Sequence, residues 1–206
     1  MSRRGLRQGA SWKWFAGIAG VMLVWCCAFS IAAETLPPER SALVLYKCLP
    51  YNQAWDGLES IEIEVLVLRQ EDLESAENFA AYLGDIATRA REKDPSSPAV
   101  RARGRTVGAA QVEGYSDSPP QILFLLSTEN TPSEDALRDL QRMASQHSIL
   151  LVTDQTGILD EYAALGFVLS ETRRPEIVID LERARLQGAR FRAGFVRLAR
   201  QREGGR

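Results

Sequence analysis

The residues able to move protons, attack carbonyls or hold metals are few in this 206-residue chain. His147 is the single histidine, and it stands between an amphipathic run ending at Gln146 and an apolar run beginning at Ser148. A serine or cysteine nucleophile would need it as base, yet no Gly-x-Ser-x-Gly elbow exists to lift a nucleophile out of a sheet. His147 therefore reads as a polar helix end. Cys48 lies beside Leu45 and Leu49 on an apolar helix face and reads as a core thiol. Zinc centres draw on several histidines and cysteines, which this inventory does not supply. Gly104-Arg105-Thr106-Val107-Gly108 lacks the strand, glycine and lysine context of a nucleotide loop. Glu62 and Glu64, or Asp117, are the remaining acid–base candidates, and on one face of a strand such carboxylates point to solvent. The expectation is a protein that is not an enzyme and uses no metal and no cofactor.

The elements that would position these residues begin after an N-terminal leader. Arg3, Arg4, Arg7 and Lys13 precede an uncharged apolar run from Trp14 to about Ala33, the order of a secretory signal peptide, with cleavage expected before Ala33 or Glu34. An uncleaved anchor is the alternative, since the run approaches the length needed to cross roughly 30 Å of hydrocarbon. The expected organisation is a signal peptide over 1–33, one α/β domain over 34–200 and a disordered tail over 201–206. Removing the leader takes four of the 25 basic residues and no acidic one, leaving 21 basic against 27 acidic residues and a charge of -6. Cys26 and Cys27 leave with it, so Cys48 would have no disulfide partner. A chain of this length buries roughly 70% of its unfolded surface and needs no metal or disulfide staple.

Leu43, Tyr46 and Leu49 share a helical face over Glu39 to Leu49, which Pro50 ends. Ile61, Ile63, Val65 and Val67 alternate with Glu62, Glu64, Leu66 and Leu68 as a strand entering a covered sheet. Phe79, Tyr82, Leu83, Ile86 and Ala90 mark a helix from Ser75 to Lys93. Ala99 to Gln111 reads as two short strands. Strands at Gln121 to Leu126, Ser148 to Val152, Gly166 to Leu169 and Glu176 to Ile179 then alternate with helices at Ser133 to Gln146 and about Leu159 to Leu165. This rhythm predicts a single-domain, three-layer α/β fold: an open, largely parallel sheet with helices on both faces. Leu181, Ala184 and Arg185 begin a short helix broken by Gly188, and Phe191, Phe195 and Leu198 form a further apolar stripe expected to dock on the sheet. Residues 181–206 hold eight arginines against two glutamates. No nucleic-acid partner is expected of an exported chain; a solvated face, or attraction to anionic lipid headgroups or to an acidic partner, accounts for the asymmetry.

The order Ile149 to Asp154, Gly166 to Leu169 and Pro175 to Leu181, followed by Ala184-Arg185-Leu186-Gln187-Gly188 and Phe195-Val196-Arg197-Leu198-Ala199, resembles the YfiR-like family of periplasmic regulators. Asp180 stands where the family carries Asn, and either side chain suits a helix N-cap. The family's better-known members have disulfides that cannot form here, and Arg192-Ala193-Gly194 replaces their small serines. The resemblance implies a periplasmic, non-enzymatic regulator that represses an inner-membrane diguanylate cyclase and so controls cyclic di-GMP and biofilm formation. The expected partner is the periplasmic domain of an inner-membrane signalling protein, a diguanylate cyclase or a sensor kinase, with a homodimer as a further expectation. Aromatic and arginine side chains dominate interface hot spots, which singles out Tyr51, Trp55, Arg190, Phe191, Arg192 and Phe195 as contacts, although both phenylalanines also suit a buried stripe. The alternative is a solute-binding accessory protein of a transporter or sensor kinase.

Overall fold

The computed structural model describes residues 36–113, 115, 119–170 and 172–202. The expected signal peptide, Asp117 and residues 203–206 lie outside them. Helix α1 (Pro38–Cys48) has proline at its first position, where the missing N–H has no intrahelical partner to lose. Two 3-10 turns, Leu49–Tyr51 and Gln53–Trp55, lead from it toward β1 (Ser60–Val67). There follow α2 (Leu73–Lys93), β2 (Ala99–Thr106), α3 (Val107–Glu113), β3 (Ile122–Leu125), α4 (Glu134–Gln146), β4 (Leu150–Thr153), α5 (Thr156–Glu161) and β5 (Leu165–Leu169). The chain closes with β6 (Pro175–Ile179), α6 (Leu181–Leu186), α7 (Ala193–Leu198) and β7 (Arg200–Gln201).

These strands form one sheet in the order β2-β1-β3-β4-β5-β6-β7. The first five are parallel, and β6 and β7 run against them. Every residue of β3 and β4 is buried, as strands covered on both faces require. The order reverses between β2 and β3, and the helices change sides accordingly. On one face, α1, α2 and the C-terminal helices enclose Leu45, Phe79, Phe124, Phe167 and Phe195. On the other, residues of α3, α4 and α5 pack with Leu66, Leu123, Leu125 and Leu151. Phe79, Phe124 and Phe167 stack through the first core at ring separations of 4.5 and 6.2 Å. The architecture is the three-layer α/β arrangement expected.

Four expectations need correction. Ala99 to Gln111 is one eight-residue strand followed by a helix, because Arg101, Arg103 and Arg105 alternate with Val100, Ala102 and Gly104 over the whole of β2. The helix placed near Leu159 to Leu165 is α5, which starts earlier and stops at Glu161, and Leu165 already belongs to β5. Gly166 lets Leu159 rest on that strand, since a Cβ there would come within 2.6 Å of the leucine side chain. Gln201 is not in a disordered tail: it pairs opposite Ile179, and the Arg202 N–H donates to the Ile179 carbonyl at 2.9 Å. Leu198 leaves the apolar stripe at 72% exposure, at the last residue of α7, where the backbone extends toward β7.

Candidate functional site

Six residues singled out as contacts meet where the segment after α1 crosses the segment before α7. Asn52 forms an isolated antiparallel bridge with Phe191. The Gln53 N–H donates to the Arg190 carbonyl at 2.8 Å, and the Arg192 N–H donates to the Tyr51 carbonyl at 2.9 Å. The Asn52 side-chain oxygen ties the crossing together by accepting from the Arg190 N–H at 2.8 Å and the Ala54 N–H at 3.2 Å. Two stretches about 140 residues apart in sequence are thus held by backbone bonds rather than by side-chain chance.

The aromatic side chains stack above this crossing. Phe195 lies between Phe191, at a ring separation of 4.8 Å, and Tyr51, at 5.4 Å. Phe195 is only 1% exposed, so it is a core side chain that supports the other two and offers no surface to a partner. Tyr51, Trp55 and Phe191 are half-buried, while Arg190 and Arg192 are exposed. The Arg192 guanidinium reaches both carboxylate oxygens of Asp56 at 2.9 Å. With each side chain about half exposed, that pair orients Arg192 more than it stabilises the fold.

Two hollows flank the crossing. A notch of about 440 Å³ between α6 and α7 is lined by Leu181, Phe191 and Val196 and bordered by Arg185, Arg190 and Arg197. A cleft of about 720 Å³ on the other side is lined by Trp55, Asp56, Ile61, Arg91, Arg101 and Arg192. It opens at the amino ends of β1 and β2, away from the carboxyl ends where open α/β sheets bind small molecules. Helix α6, which forms one wall of the notch, is capped by Asp180, whose carboxylate accepts from the Arg183 N–H at 2.9 Å. Gly188 ends the same wall at φ +77°, a conformation that glycine adopts without penalty.

The carboxylates of β1 do not face solvent together as expected. Glu62 is half-exposed and meets Arg101 at 3.2 Å, whereas Glu64 is 1% exposed. Glu64 accepts from Arg103 Nε at 2.8 Å, from Arg105 Nη1 at 3.1 Å and from the Tyr115 hydroxyl. Burial and this bond to Glu64 raise the Tyr115 phenol well above its ordinary value. With both oxygens engaged and the side chain buried, Glu64 ties β2 and Tyr115 to β1. The signal for this network was the complementary spacing of Glu62 and Glu64 against Arg101, Arg103 and Arg105, visible only once β1 and β2 are paired in register.

The remaining titratable groups are scattered. Asp154, at the carboxyl end of β4, is raised to about 7 by burial, against which the Ser127 N–H bond to its carboxylate works. Burial pushes the Cys48 thiol up to about 12. His147 ends α4, its N–H bonded to the Met143 carbonyl. Among the described residues, no group of three or more His, Cys, Asp or Glu side chains is placed to hold a metal ion. Among the same residues, no helix is long and apolar enough to cross a membrane.

No curated protein matches this sequence. Solved structures share its fold at low identity. A conserved domain protein from Vibrio cholerae O1 biovar El Tor superposes with a TM-score of 0.50 at 12% identity, covering 82% of this chain and 60% of its own. An ABC domain in complex with L-Trp from Streptococcus pneumoniae gives 0.51 at 12%, covering 80% and 61%. A ligand-free, open substrate-binding protein with adhesive properties from Clostridium difficile gives 0.50 at 8%, covering 82% and 61%. The chain therefore spans about three fifths of the length of these structures, and the likeness is one of fold alone. The family model described as YfiR/HmsC-like matches residues 56–200, from the turn before β1 to the first residue of β7, and the chain belongs to the YfiR/HmsC-like family.

Proposed function

We propose that this protein is an exported, periplasmic regulator without catalytic activity, which binds the periplasmic domain of an inner-membrane diguanylate cyclase, holds it inactive and so limits cyclic di-GMP and biofilm formation. The observation that carries the reading is an arginine-bordered apolar notch on a member of the YfiR/HmsC-like family. Phe191 supplies an aromatic anchor seated on Phe195, and Arg185, Arg190 and Arg197 surround it. That composition is typical of an interface hot spot, and it fits a partner surface with an apolar knob inside an acidic rim. Tyr51, Trp55 and Arg192 extend the contact across the backbone crossing.

The test is crosslinking in intact cells with the tagged protein, followed by mass spectrometry of what is captured. Recovery of an inner-membrane diguanylate cyclase is expected from the native protein, and its loss from an Arg190→Glu/Arg197→Glu variant with an unchanged melting temperature. Recovery of no membrane signalling protein over several growth conditions overturns the reading. Sedimentation velocity of the same preparation reads the homodimer.

The second reading, a solute-binding accessory protein of a transporter or sensor kinase, draws on the 720 Å³ cleft, whose size falls in the range of ligand sites. Two of the structural neighbours are described as an L-Trp complex and a substrate-binding protein. A rise in melting temperature with a panel of amino acids that includes L-Trp, abolished by Trp55→Ala, is the result that would favour it.

A further inference from the structure

Among the described residues, strand β2 is one of the two edges of the sheet and has no neighbour on its outer side. The Ala99 N–H donates to the Glu59 carbonyl at 3.0 Å, and Ala99 stands opposite Ser60 in a parallel pair. Backbone groups of alternate residues in a parallel ladder point to the same side. Ala99, Arg101, Arg103 and Arg105 therefore bond toward β1, and the amides and carbonyls of Val100, Ala102 and Gly104 point outward. A row of outward backbone groups of this kind accepts an extended peptide as an added strand.

The two faces beside this edge differ in chemistry. On one, Arg101, Arg103 and Arg105 face Glu62 and Glu64, three guanidiniums against two carboxylates. Among the described residues, α3 lies over Arg105, whose guanidinium donates to the Ala109 carbonyl, and leaves Arg101 and Arg103 outside its cover. A hollow of about 550 Å³ lined by Glu62, Glu64, Arg101, Arg103 and Pro120 remains. The Arg101 and Arg103 side chains are 72% and 67% exposed. On the other face, a groove of about 480 Å³ between the edge and α2 is lined by Glu77, Ala80, Ala81, Gly84, Val100 and Ala102, with room for side chains over the alanines and Gly84, and α2 closes it at Gly104, where a Cβ would come within 2.8 Å of the Glu77 backbone.

We propose that the open edge of β2 takes up an extended acidic segment of the partner as an added β-strand, its carboxylates at every second position facing Arg101 and Arg103. The inference rests on the reading of this protein as a partner-binding regulator. The arrangement of β1 argues for it: Glu62 and Glu64 already meet these arginines from the inner side, and an acidic strand would repeat the same pairing from the outer side. It also argues against a second copy of this chain, because two β2 edges meeting antiparallel in one sheet would bring arginine rows together on the same face.

The test uses the purified protein and two fluorescein-labelled, strand-length peptides, one alternating glutamate with valine and the other lysine with valine. The acidic peptide is expected to bind about tenfold or more tightly than its lysine twin and to slow amide exchange at Val100, Ala102 and Gly104. Ala102→Pro removes an outward N–H without breaking a bond to β1, a position where an edge strand tolerates proline. This variant should keep its melting temperature within a few degrees and lose the acidic peptide, and Arg101→Glu should weaken binding. Equal binding of the two peptides, no added protection at 100–104, undiminished binding by Ala102→Pro, or a homodimer that Ala102→Pro abolishes each overturns the inference. In cells, capture of the cyclase that Ala102→Pro leaves intact overturns the edge proposal while the regulator reading stands. Absence of cyclase from the native capture removes the regulator reading itself.

Discussion

Asp154 and Cys48 show how burial sets the behaviour of single groups. Asp154 is 4% exposed, and its carboxyl is raised from 3.8 to about 7 because burial penalises the charged form. Between those values the native state holds a proton that the unfolded chain has released, so the unfolded state binds fewer protons. Stability therefore falls as pH rises through this window and levels off above about 7. Asp154→Asn keeps an acceptor for the Ser127 N–H and removes the charge. Melting curves at about pH 5 and about pH 8 should show the native protein losing more stability over that interval than the variant. Equal losses would take Asp154 out of the account. Cys48 is 3% exposed, with its thiol pushed up to about 12, so it should resist thiol reagents near neutral pH in the folded protein and react fully in denaturant. Labelling of the folded protein at the rate of a free peptide thiol would mean that α1 does not stay docked.

Helix α6 tests the short-range rules. Its cap was legible in the sequence because Asp180 precedes a helical run and Gly188 follows it, and both roles depend only on neighbours within a turn. Asp180→Ala should cost about 1 kcal/mol in chemical denaturation and Asp180→Asn close to nothing, since asparagine caps as well as aspartate. Gly188→Ala should cost more, about 2 kcal/mol, because φ is +77° and the new Cβ would lie 2.7 Å from the Ser148 Cβ. A smaller loss from Gly188→Ala than from Asp180→Ala would show that the left-handed turn relaxes. β2 was less legible. Its face opposite the arginines, Val100, Ala102 and Gly104, is made of small, half-buried residues that give only a weak apolar signal, and its partners lie 39 residues back in the chain. For the same reason the burial of Glu64 could not be read locally, because it is set by Arg103, Arg105 and Tyr115, residues contributed by two later segments.

At the scale of the molecule, the parallel core was readable because β3 and β4 are apolar on both faces and alternate with amphipathic helices. The crossing of Tyr51-Asn52-Gln53 with Arg190-Phe191-Arg192 was not, since a pairing over such a separation leaves no periodic trace in either segment. Six expected contact residues nonetheless converge there, five with exposed or half-buried side chains and Phe195 beneath them. Amide exchange should be slowest in β1, β3 and β4, which have strands on both sides, and fastest in β2 and β7 at the two edges. Comparable protection at the edges would indicate that something covers them in solution. The strand order also carries a consequence for assembly. β1 and β2 are neighbours, β3 lies on the other side of β1, and each of β4 to β7 lies beside the strand that precedes it in sequence. No later strand has to be wedged between two that already touch, so a chain delivered amino end first can grow its sheet in one direction, with each new piece finding its template waiting.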